Sequence, residues 1–273
     1  MIGRCIDDAA GGEMLPKTKE ITMLLIEDLQ VELEGKVLLK DIHLEILPGE
    51  THILFGPNGS GKTSLLMTIM GYPQYAVKRG KITFKGVDIT HAPIDERARL
   101  GIGMSYQRPP TINGLKLRQM IDICAKKHAD AEEMAKSLNF FDFLERDVNA
   151  GFSGGEIKRS ELLQLKAQNP DLMLFDEPES GVDIENMALI GKTIAQLLQK
   201  APVKDGSKSM LQTRQDRTRM GLVITHTGYI LDYVPADKGQ VLYEGILACA
   251  GNPREIFQCI AISGYEECLK CNL

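Results

Sequence analysis

Residues 51–70 read THILFGPNGSGKTSLLMTIM, and this stretch decides the fold. A mostly apolar run ends at Phe55, a loop rich in glycine follows, and a second apolar run begins after Lys62. This order predicts a buried strand, a phosphate-binding loop and a helix. Backbone N–H groups of such a loop point into one concavity at the positive end of the helix, where phosphate oxygens bind.

The loop matches the pattern G-x-x-x-x-G-K-[ST]. In that pattern the lysine, here Lys62, reaches the β- and γ-phosphates, and the hydroxyl of Thr63 holds Mg²⁺. The probability that a chain of this length matches the pattern by chance is about 1% at ordinary residue frequencies. The predicted phosphate-binding residues are Gly56, Pro57, Asn58, Gly59, Ser60, Gly61, Lys62, Thr63 and Ser64.

Composition narrows the class of protein. The chain has 273 residues, 43% of them hydrophobic and 25% charged, as in globular proteins. The net charge of −5 argues against a surface that covers nucleic acid. No apolar run approaches the roughly 18 residues of a membrane span, and the first residues lack the pattern of a secretory signal. We expect a cytoplasmic protein without a nucleic-acid partner and without direct membrane insertion.

Strands and helices alternate along most of the chain, which predicts an α/β fold with a mainly parallel sheet core. Near the start, MLLIEDLQVEL and DIHLEI alternate apolar and polar residues, which predicts an antiparallel β subdomain. We divide the chain into a weakly ordered extension (1–22), a core domain (23–107 and 151–250), an inserted helical subdomain (108–150), a polar, basic surface insertion within the core (201–220) and a cysteine-containing tail (251–273).

Two adjacent carboxylates follow an apolar run in LMLFDEPESGVD, residues 172–183. The run predicts a buried parallel strand, and ligands bind at the carboxyl edge of such sheets. Asp176 is expected to hold the Mg²⁺ shell, as the corresponding Asp does in P-loop enzymes. Glu177 is expected to polarise the water that attacks the γ-phosphate.

Two further polar residues end predicted strands. His226 ends GLVITH and is a candidate to hydrogen-bond the γ-phosphate, although a histidine at a strand edge is more often structural. Gln107 in GMSYQRPP is a candidate to sense Mg²⁺ and the attacking water. With Lys62 and Glu177, these residues form the predicted catalytic group, and Gln107 joins Thr63 and Asp176 as a predicted Mg²⁺ ligand.

A second glycine loop opens the helical stretch NAGFSGGEIKRSELLQL, residues 149–165. The N-terminus of this helix offers a second anion site through its free N–H groups. Ser153 and Glu156 also fit a capping box, in which each side chain accepts from the other residue's backbone N–H. The anion site and the capping box are compatible, because a capped helix N-terminus still presents backbone N–H donors to an anion.

The chain carries, in this order, the phosphate loop, Gln107, SGGE, DE, SGVD and His226. This ordered set resembles the ATP-binding cassette (ABC) ATPases over residues 23–250. The resemblance implies Mg²⁺-dependent ATP hydrolysis by a head-to-tail dimer of two copies. It implies that Ser153, Gly154, Gly155 and Glu156 cover the γ-phosphate bound by the partner copy. It also implies that residues 180–183 cross the dimer interface.

Longer stretches, including GYPQYAVKRGKITFKGVDIT and ITHTGYILDYVPADKGQVLYEG, are similar to the ATPase subunits of the SUF iron–sulfur cluster assembly system, the SufC-like proteins. That resemblance implies a SUF scaffold protein (SufB/SufD-like) as partner, coupled through the helical subdomain and residues 107–113. It also motivates the hypothesis that Lys158 pairs with Glu177 in the monomer. The first hairpin offers no aromatic residue to stack on adenine, which leaves base selectivity open.

Two alternatives stay open. One is the nucleotide-binding subunit of an ABC membrane transporter, which shares the same chemistry. The other is a metal- or cluster-binding carrier regulated by ATP, because Cys268 and Cys271 form a C-x-x-C pair that can bind zinc or an iron–sulfur cluster. Cys249 ends an apolar strand, where a buried structural thiol is the default.

Overall fold

The structure, a computed structural model, describes residues 23–125, 130–200 and 216–270. The predicted extension at residues 1–22, residues 201–215 of the predicted insertion, and Cys271 lie outside the described residues. In the described ranges, no helix combines the length and the apolar character that crossing a membrane requires.

Twelve strands and seven α-helices form within the described residues. The strands are β1 (Leu24–Leu33), β2 (Lys36–Ile46), β3 (Thr51–Phe55), β4 (Ala76–Phe84), β5 (Val87–Asp88), β6 (Ile102–Ser105), β7 (Ile112–Lys116), β8 (Asp147–Val148), β9 (Leu172–Asp176), β10 (Met220–Ile224), β11 (Lys238–Tyr243) and β12 (Ile246–Gly251). The helices are α1 (Lys62–Met70), α2 (Ile94–Leu100), α3 (Leu117–Cys124), α4 (Ala131–Lys136), α5 (Gly154–Gln168), α6 (Ile184–Leu197) and α7 (Pro253–Lys270), which is kinked at Gly264.

One ten-stranded sheet has the order β5-β4-β1-β2-β12-β11-β3-β10-β9-β6. Strands β11, β3, β10, β9 and β6 pair in parallel, whereas β1, β2, β4 and β5 pair antiparallel. The α/β class, with a parallel core and an antiparallel β subdomain, is therefore confirmed. The run of apolar residues in β3, β9 and β10 follows from this position, because central parallel strands are covered on both faces.

Two hydrophobic clusters cover the two faces of the parallel strands. Leu65, Leu66 and Ile69 of α1 pack in the first cluster, against side chains such as Leu174. Residues of α5, α6 and α7 pack in the second, with Phe175 of the same strand. Successive residues of β9 thus point to opposite faces, as a strand requires, and the strand's last residue, Asp176, is carried to the carboxyl edge.

A third cluster lies in the segment from residue 112 to residue 152 and packs on α5 through Leu163 and Ala167. The segment carries α3, α4 and the two-stranded sheet of β7 and β8. The boundaries drawn from the sequence at residues 108 and 150 stay predictions.

Candidate active site

The phosphate loop joins β3 to α1 at the carboxyl edge of the sheet. A side chain on Gly56 would collide with the carbonyl oxygen of Leu242 on the neighbouring strand β11, so this position requires the close approach that only glycine allows. Helix α1 begins directly after Gly61, with Lys62 as its first residue. The N–H groups of its first turn therefore face the loop, as an anion site needs.

Lys62 is almost completely buried beneath this loop. Its Nζ donates to the carbonyl oxygens of Gly56 at 2.7 Å and Pro57 at 2.9 Å. Burial lowers the pKa of Lys62, and the nearby carboxylates of Glu177 and Asp176 oppose this effect. The lysine is thus a positive charge held inside the loop that phosphate oxygens would enter.

Thr63 and Asp176 meet at the end of β9. The Thr63 hydroxyl donates to the two carboxylate oxygens of Asp176 over 3.2 and 3.0 Å. Asp176 is 1% exposed, and burial raises its pKa, with the charge of Glu177 acting in the same direction. The hydroxyl and the buried carboxylate together form an oxygen donor set, which is what Mg²⁺ prefers.

Glu177 lies where two other predicted residues reach it. Gln107 Nε2 donates to Glu177 Oε2 at 2.5 Å, and His226 Nε2 contacts Glu177 Oε1. Glu177 has a φ of 47°, in the left-handed region, and its N–H donates to the carbonyl oxygen of Ile224 at 3.2 Å. This bend turns the chain directly after β9 and places the Glu177 side chain between the ends of the neighbouring strands.

The residues present fit ATP and Mg²⁺. Ser60 Oγ, inside the phosphate loop, is buried and has no hydrogen-bond partner among the described residues, so a phosphate oxygen would satisfy it. Thr63 and Asp176 supply oxygen ligands for the metal. Gln107 contacts Glu177 in the structure, and its predicted role as a Mg²⁺ ligand stays a prediction.

The second glycine loop lies apart from this group. Ser153 caps α5, its N–H donates to Glu156 Oε2 at 2.7 Å, and the capping box read from the sequence is confirmed. A side chain on Gly154 would collide with the carbonyl oxygen of Gly181, so SGGE packs directly against the 180–183 loop. Among the described residues, the closest neighbours of Gly154 and Gly155 are thus Gly181 and Asn186 of the same chain.

Comparison with known proteins assigns this arrangement to a family. The family model described as "ABC transporter" matches residues 39–180. Vegetative protein 296 of Bacillus subtilis (strain 168) is 35% identical, with 89% of this chain and 92% of that protein covered. The chain belongs to the ABC transporter family. It is an ATP hydrolase that uses ATP and Mg²⁺, and ABC ATPases dimerise and work with other subunits.

Two further likenesses agree with this family. The "Probable ATP-dependent transporter SufC" of Escherichia coli (strain K12) is 33% identical, covering 84% of this chain and 92% of that protein. A crystal structure of a nucleotide-free ATP-binding cassette from an ABC transporter superposes with a TM-score of 0.71 at 20% identity, covering 93% of this chain and 100% of the other. The latter likeness shows the fold alone.

In this ABC ATPase, Lys158 does not pair with Glu177, so the hypothesis read from the sequence is wrong for this structure. Lys158 Nζ contacts the carbonyl oxygen of Tyr106, and lies 3.3 Å from the Gln107 carbonyl oxygen and 3.4 Å from Glu161 Oε2. Glu161 is closer to Lys158 because it follows three positions later on α5, one helical turn away. The two side chains are 3% and 5% exposed.

Glu161 extends this buried pair to the strand that carries Gln107. Its carboxylate accepts from the Ser105 hydroxyl at 2.9 Å and from the Tyr106 N–H at 2.7 Å. Helix α5, which begins at SGGE, thereby holds the backbone directly before Gln107. Sequence reasoning missed this network, although two oppositely charged residues one turn apart on a mostly buried helix were a usable signal.

The cysteines give no support to a metal centre. Cys268 is completely buried against Cys249 and Cys259 in the second hydrophobic cluster. Burial raises the pKa of Cys268 to about 12. Among the described residues, the one group of side chains spaced for a metal ion is the exposed set Asp28, Asp41 and His43. A zinc or iron–sulfur site at Cys268 and Cys271 stays a hypothesis.

Proposed function

We propose that this ABC ATPase drives iron–sulfur cluster assembly: ATP-dependent head-to-tail dimerisation of two copies changes the conformation of a SUF scaffold protein (SufB/SufD-like). The observation that carries the proposal is 33% identity to the E. coli SufC protein over 84% of the chain. The "Probable ATP-dependent transporter ycf16" of Cyanidium caldarium is 36% identical over 86% of this chain.

In this proposal the residues at the sheet edge share the work of ATP hydrolysis. Lys62 binds the β- and γ-phosphates, and the N–H groups of the phosphate loop surround them. Thr63, Asp176 and Gln107 hold Mg²⁺, which neutralises phosphate charge when bound. Glu177 orients and polarises the attacking water, and His226 holds the γ-phosphate.

Both oxygens of Glu177 already have partners, which bears on how hydrolysis is controlled. Gln107 occupies one oxygen and His226 the other. Each carboxylate oxygen has a second lone pair, so Glu177 can still accept a hydrogen bond from a water that approaches from the side Gln107 and His226 leave open. Binding of ATP and Mg²⁺ supplies competing partners for both Gln107 and His226, so hydrolysis is coupled to the completion of the site.

Dimerisation follows from the position of SGGE. Gly154 and Gly155 begin a 15-residue helix, whose first N–H groups have no carbonyl partner within the helix, and Gly154 packs on Gly181 of the 180–183 loop. A second copy, packed head to tail, would bring its SGGE to the γ-phosphate. Each ATP would then bind between the phosphate loop of one copy and SGGE of the other.

Coupling to the scaffold would use the groove between the core and the helical segment. A cavity of about 270 Å³ there is lined by Met104, Pro109, Pro110 and Met120, among others. Pro109 and Pro110 follow Gln107 closely, and the Gln107 backbone is held by Lys158 of α5. A partner that docks in this groove would therefore contact the segment that moves when Gln107 changes its contacts.

The test is a mild anaerobic purification of the native complex, with its partners identified by mass spectrometry. A β-rich scaffold protein that carries iron or sulfide supports the proposal. Recovery of a polytopic membrane protein would overturn it and favour a second function, the nucleotide-binding subunit of an ABC membrane transporter. The observation that favours this second function is that several relatives are named ATP-dependent transporters.

A zinc or iron–sulfur cluster at Cys268 and Cys271, with ATP as a regulator, is the third candidate. Metal analysis of the anaerobically purified chain tests it, with the double variant Cys268→Ala/Cys271→Ala as control. Stoichiometric iron or zinc that this variant loses would establish it.

A further inference from the structure

Glu179 is a buried carboxylate near the catalytic edge that none of the proposed roles uses. It lies two residues after Glu177 and directly before the 180–183 loop, and it is 9% exposed. Burial raises the pKa of Glu179, which means that the surroundings oppose its charged form. A carboxylate in such a place needs a reason, because apolar or neutral side chains would be easier to bury.

Two threonine hydroxyls converge on one oxygen of this carboxylate. Thr225 Oγ1 donates to Glu179 Oε1, and Thr227 Oγ1 donates to the same oxygen at 3.2 Å. These threonines are the two neighbours of His226 in the chain. A single carboxylate oxygen therefore holds the chain on both sides of the imidazole.

The same hydroxyls also fix the turn that follows His226. The Gly228 N–H donates to Thr225 Oγ1 at 3.0 Å, and the Tyr229 N–H donates to Thr227 Oγ1 at 3.4 Å. Strands β9 and β10 are parallel neighbours, with Ile224 beside Asp176, so the two chain segments leave the sheet side by side. Beyond the last strand residues, Glu179 connects them in addition to the contact between Glu177 and His226.

The second carboxylate oxygen of Glu179 is not used by either threonine. Oε2 is buried and has no hydrogen-bond partner among the described residues. An unpaired buried acceptor lowers stability, and such groups persist where function retains them. Glu179 also lines a cavity of about 620 Å³ that Glu177 and His226 share.

We infer that Glu179 is a positioning residue for His226: it holds Thr225 and Thr227, and through them it fixes the imidazole against Glu177. The backbone joins this connection to the 180–183 loop, because the Val182 N–H donates to the Glu179 carbonyl oxygen at 3.3 Å. A movement of that loop therefore reaches His226 through Glu179. This inference rests on the role proposed above for His226 in ATP hydrolysis.

The test measures kcat for ATP hydrolysis and the Kd for Mg-ATP in the full chain. Glu179→Ala should lower kcat about tenfold to a hundredfold, the size expected when a catalytic group is misplaced by about 1 Å, while Kd stays within about twofold. In a His226→Ala background, Glu179→Ala should lower kcat no further, because its effect passes through the imidazole. Glu179→Gln keeps an oxygen that accepts from both threonines and should restore most of the activity.

Several outcomes would overturn the inference. They are a normal kcat in Glu179→Ala, an equal further loss in the His226→Ala background, and a Glu179→Gln variant as slow as Glu179→Ala. A normal kcat in His226→Ala would instead remove the proposed role of His226 itself, so the two failures are distinguishable.

If Glu179→Ala does not fold, the pair Thr225→Val and Thr225→Ser replaces it. Valine has the shape of threonine without the hydroxyl, whereas serine keeps the hydroxyl. Thr225→Val should lower kcat and Thr225→Ser should restore it. Equal activity of these two variants would overturn the inference as well.

Discussion

The side-chain amide of Gln107 lies 2.5 Å from Glu177 Oε2, although 70 residues separate the two along the chain. The two residues follow neighbouring parallel strands, β6 and β9, whose ends the sheet brings together. Because His226 contacts the other oxygen of Glu177, the proposed base is held from two sides. The contact thus connects the strand that leads to the helical segment with the residue proposed to polarise water.

Replacing Glu177 by glutamine should separate ATP binding from ATP hydrolysis. Glutamine keeps the size of the side chain and an oxygen for hydrogen bonding, but it is not a base. We expect Glu177→Gln to bind Mg-ATP, to accumulate as a closed dimer, and to lose turnover by about 10²- to 10⁴-fold. Steady-state ATPase assays and light scattering with ATP measure both effects.

The matched control is Glu45→Gln, at a solvent-exposed position of β2 in the antiparallel subdomain. It should leave turnover unchanged. Normal hydrolysis by Glu177→Gln would show that another group is the general base.

The affinity for Mg-ATP should fall with rising pH through Lys62. Burial lowers the pKa of Lys62, so its ammonium loses the proton at a lower pH than an ordinary lysine does. The neutral amine does not attract phosphate, and affinity should decline between neutral pH and about pH 10, the range below the usual lysine pKa. Equilibrium binding to the Glu177→Gln variant, which does not consume ATP, measures the decline.

Lys62→Arg provides the comparison, because arginine stays charged over this range. The Lys62→Arg variant should bind Mg-ATP more weakly, because the side chain has a different shape. Its affinity for Mg-ATP should not decline as the pH rises. A constant Kd for the chain with Lys62 up to about pH 10 would show that Lys62 stays protonated there.

Breaking the buried pair of Lys158 and Glu161 should destabilise the fold. Lys158→Met leaves the Glu161 carboxylate buried without its cation, which costs about 3–5 kcal/mol in comparable pairs. The double variant Lys158→Met/Glu161→Gln also removes the unpaired carboxylate charge. It should recover part of the lost free energy of unfolding. Urea unfolding gives these free energies, and the ATPase rate of Lys158→Met should also fall because the backbone of Gln107 loses a contact.

Lys78→Met is the control for this pair, since Lys78 forms an exposed ion pair with Glu32 at 3.5 Å. Exposed pairs of this kind contribute about 0–1 kcal/mol. If both lysine variants changed the unfolding free energy equally, the Lys158–Glu161 pair would have no special role.

Arg97 should be a large contributor to stability outside the site. Its guanidinium is 2% exposed and donates to the carbonyl oxygens of Thr68, Ile69, Thr90 and Ala92. Arg97→Ala would leave several buried acceptors unpaired, at about 1–3 kcal/mol for each acceptor that water does not reach. We expect a loss of at least about 3 kcal/mol in urea unfolding.

Arg99→Ala, two residues away on the same helix, serves as the comparison. Arg99 is exposed and pairs with Asp95 one turn earlier at 2.7 Å. Its loss should change the unfolding free energy by about 0.5 kcal/mol or less. Similar values for the two variants would contradict the structural role of Arg97.

The sequence by itself determined the fold class, the phosphate loop and the capping box at Ser153. Each depends on a local pattern whose physics is short-range. A buried strand requires an apolar run, a phosphate loop requires glycines before a helix N-terminus, and a capping box requires two residues three apart. The sequence also predicted the position of Asp176 and Glu177 at the edge of the sheet, because an acidic pair after a buried strand lies where parallel strands end.

The tertiary structure alone decided which partner each charged side chain takes. The hypothesis from the sequence paired Lys158 with Glu177, whereas in the structure Lys158 pairs with Glu161, one helical turn away. Glu179 is 46 and 48 residues away in the chain from Thr225 and Thr227, the threonines on either side of His226. They come into contact because β9 and β10 lie side by side. Hydrophobic periodicity records which face of an element is buried, but hydrogen bonds form over about 3 Å. Only the packed arrangement of the strand ends sets distances on that scale.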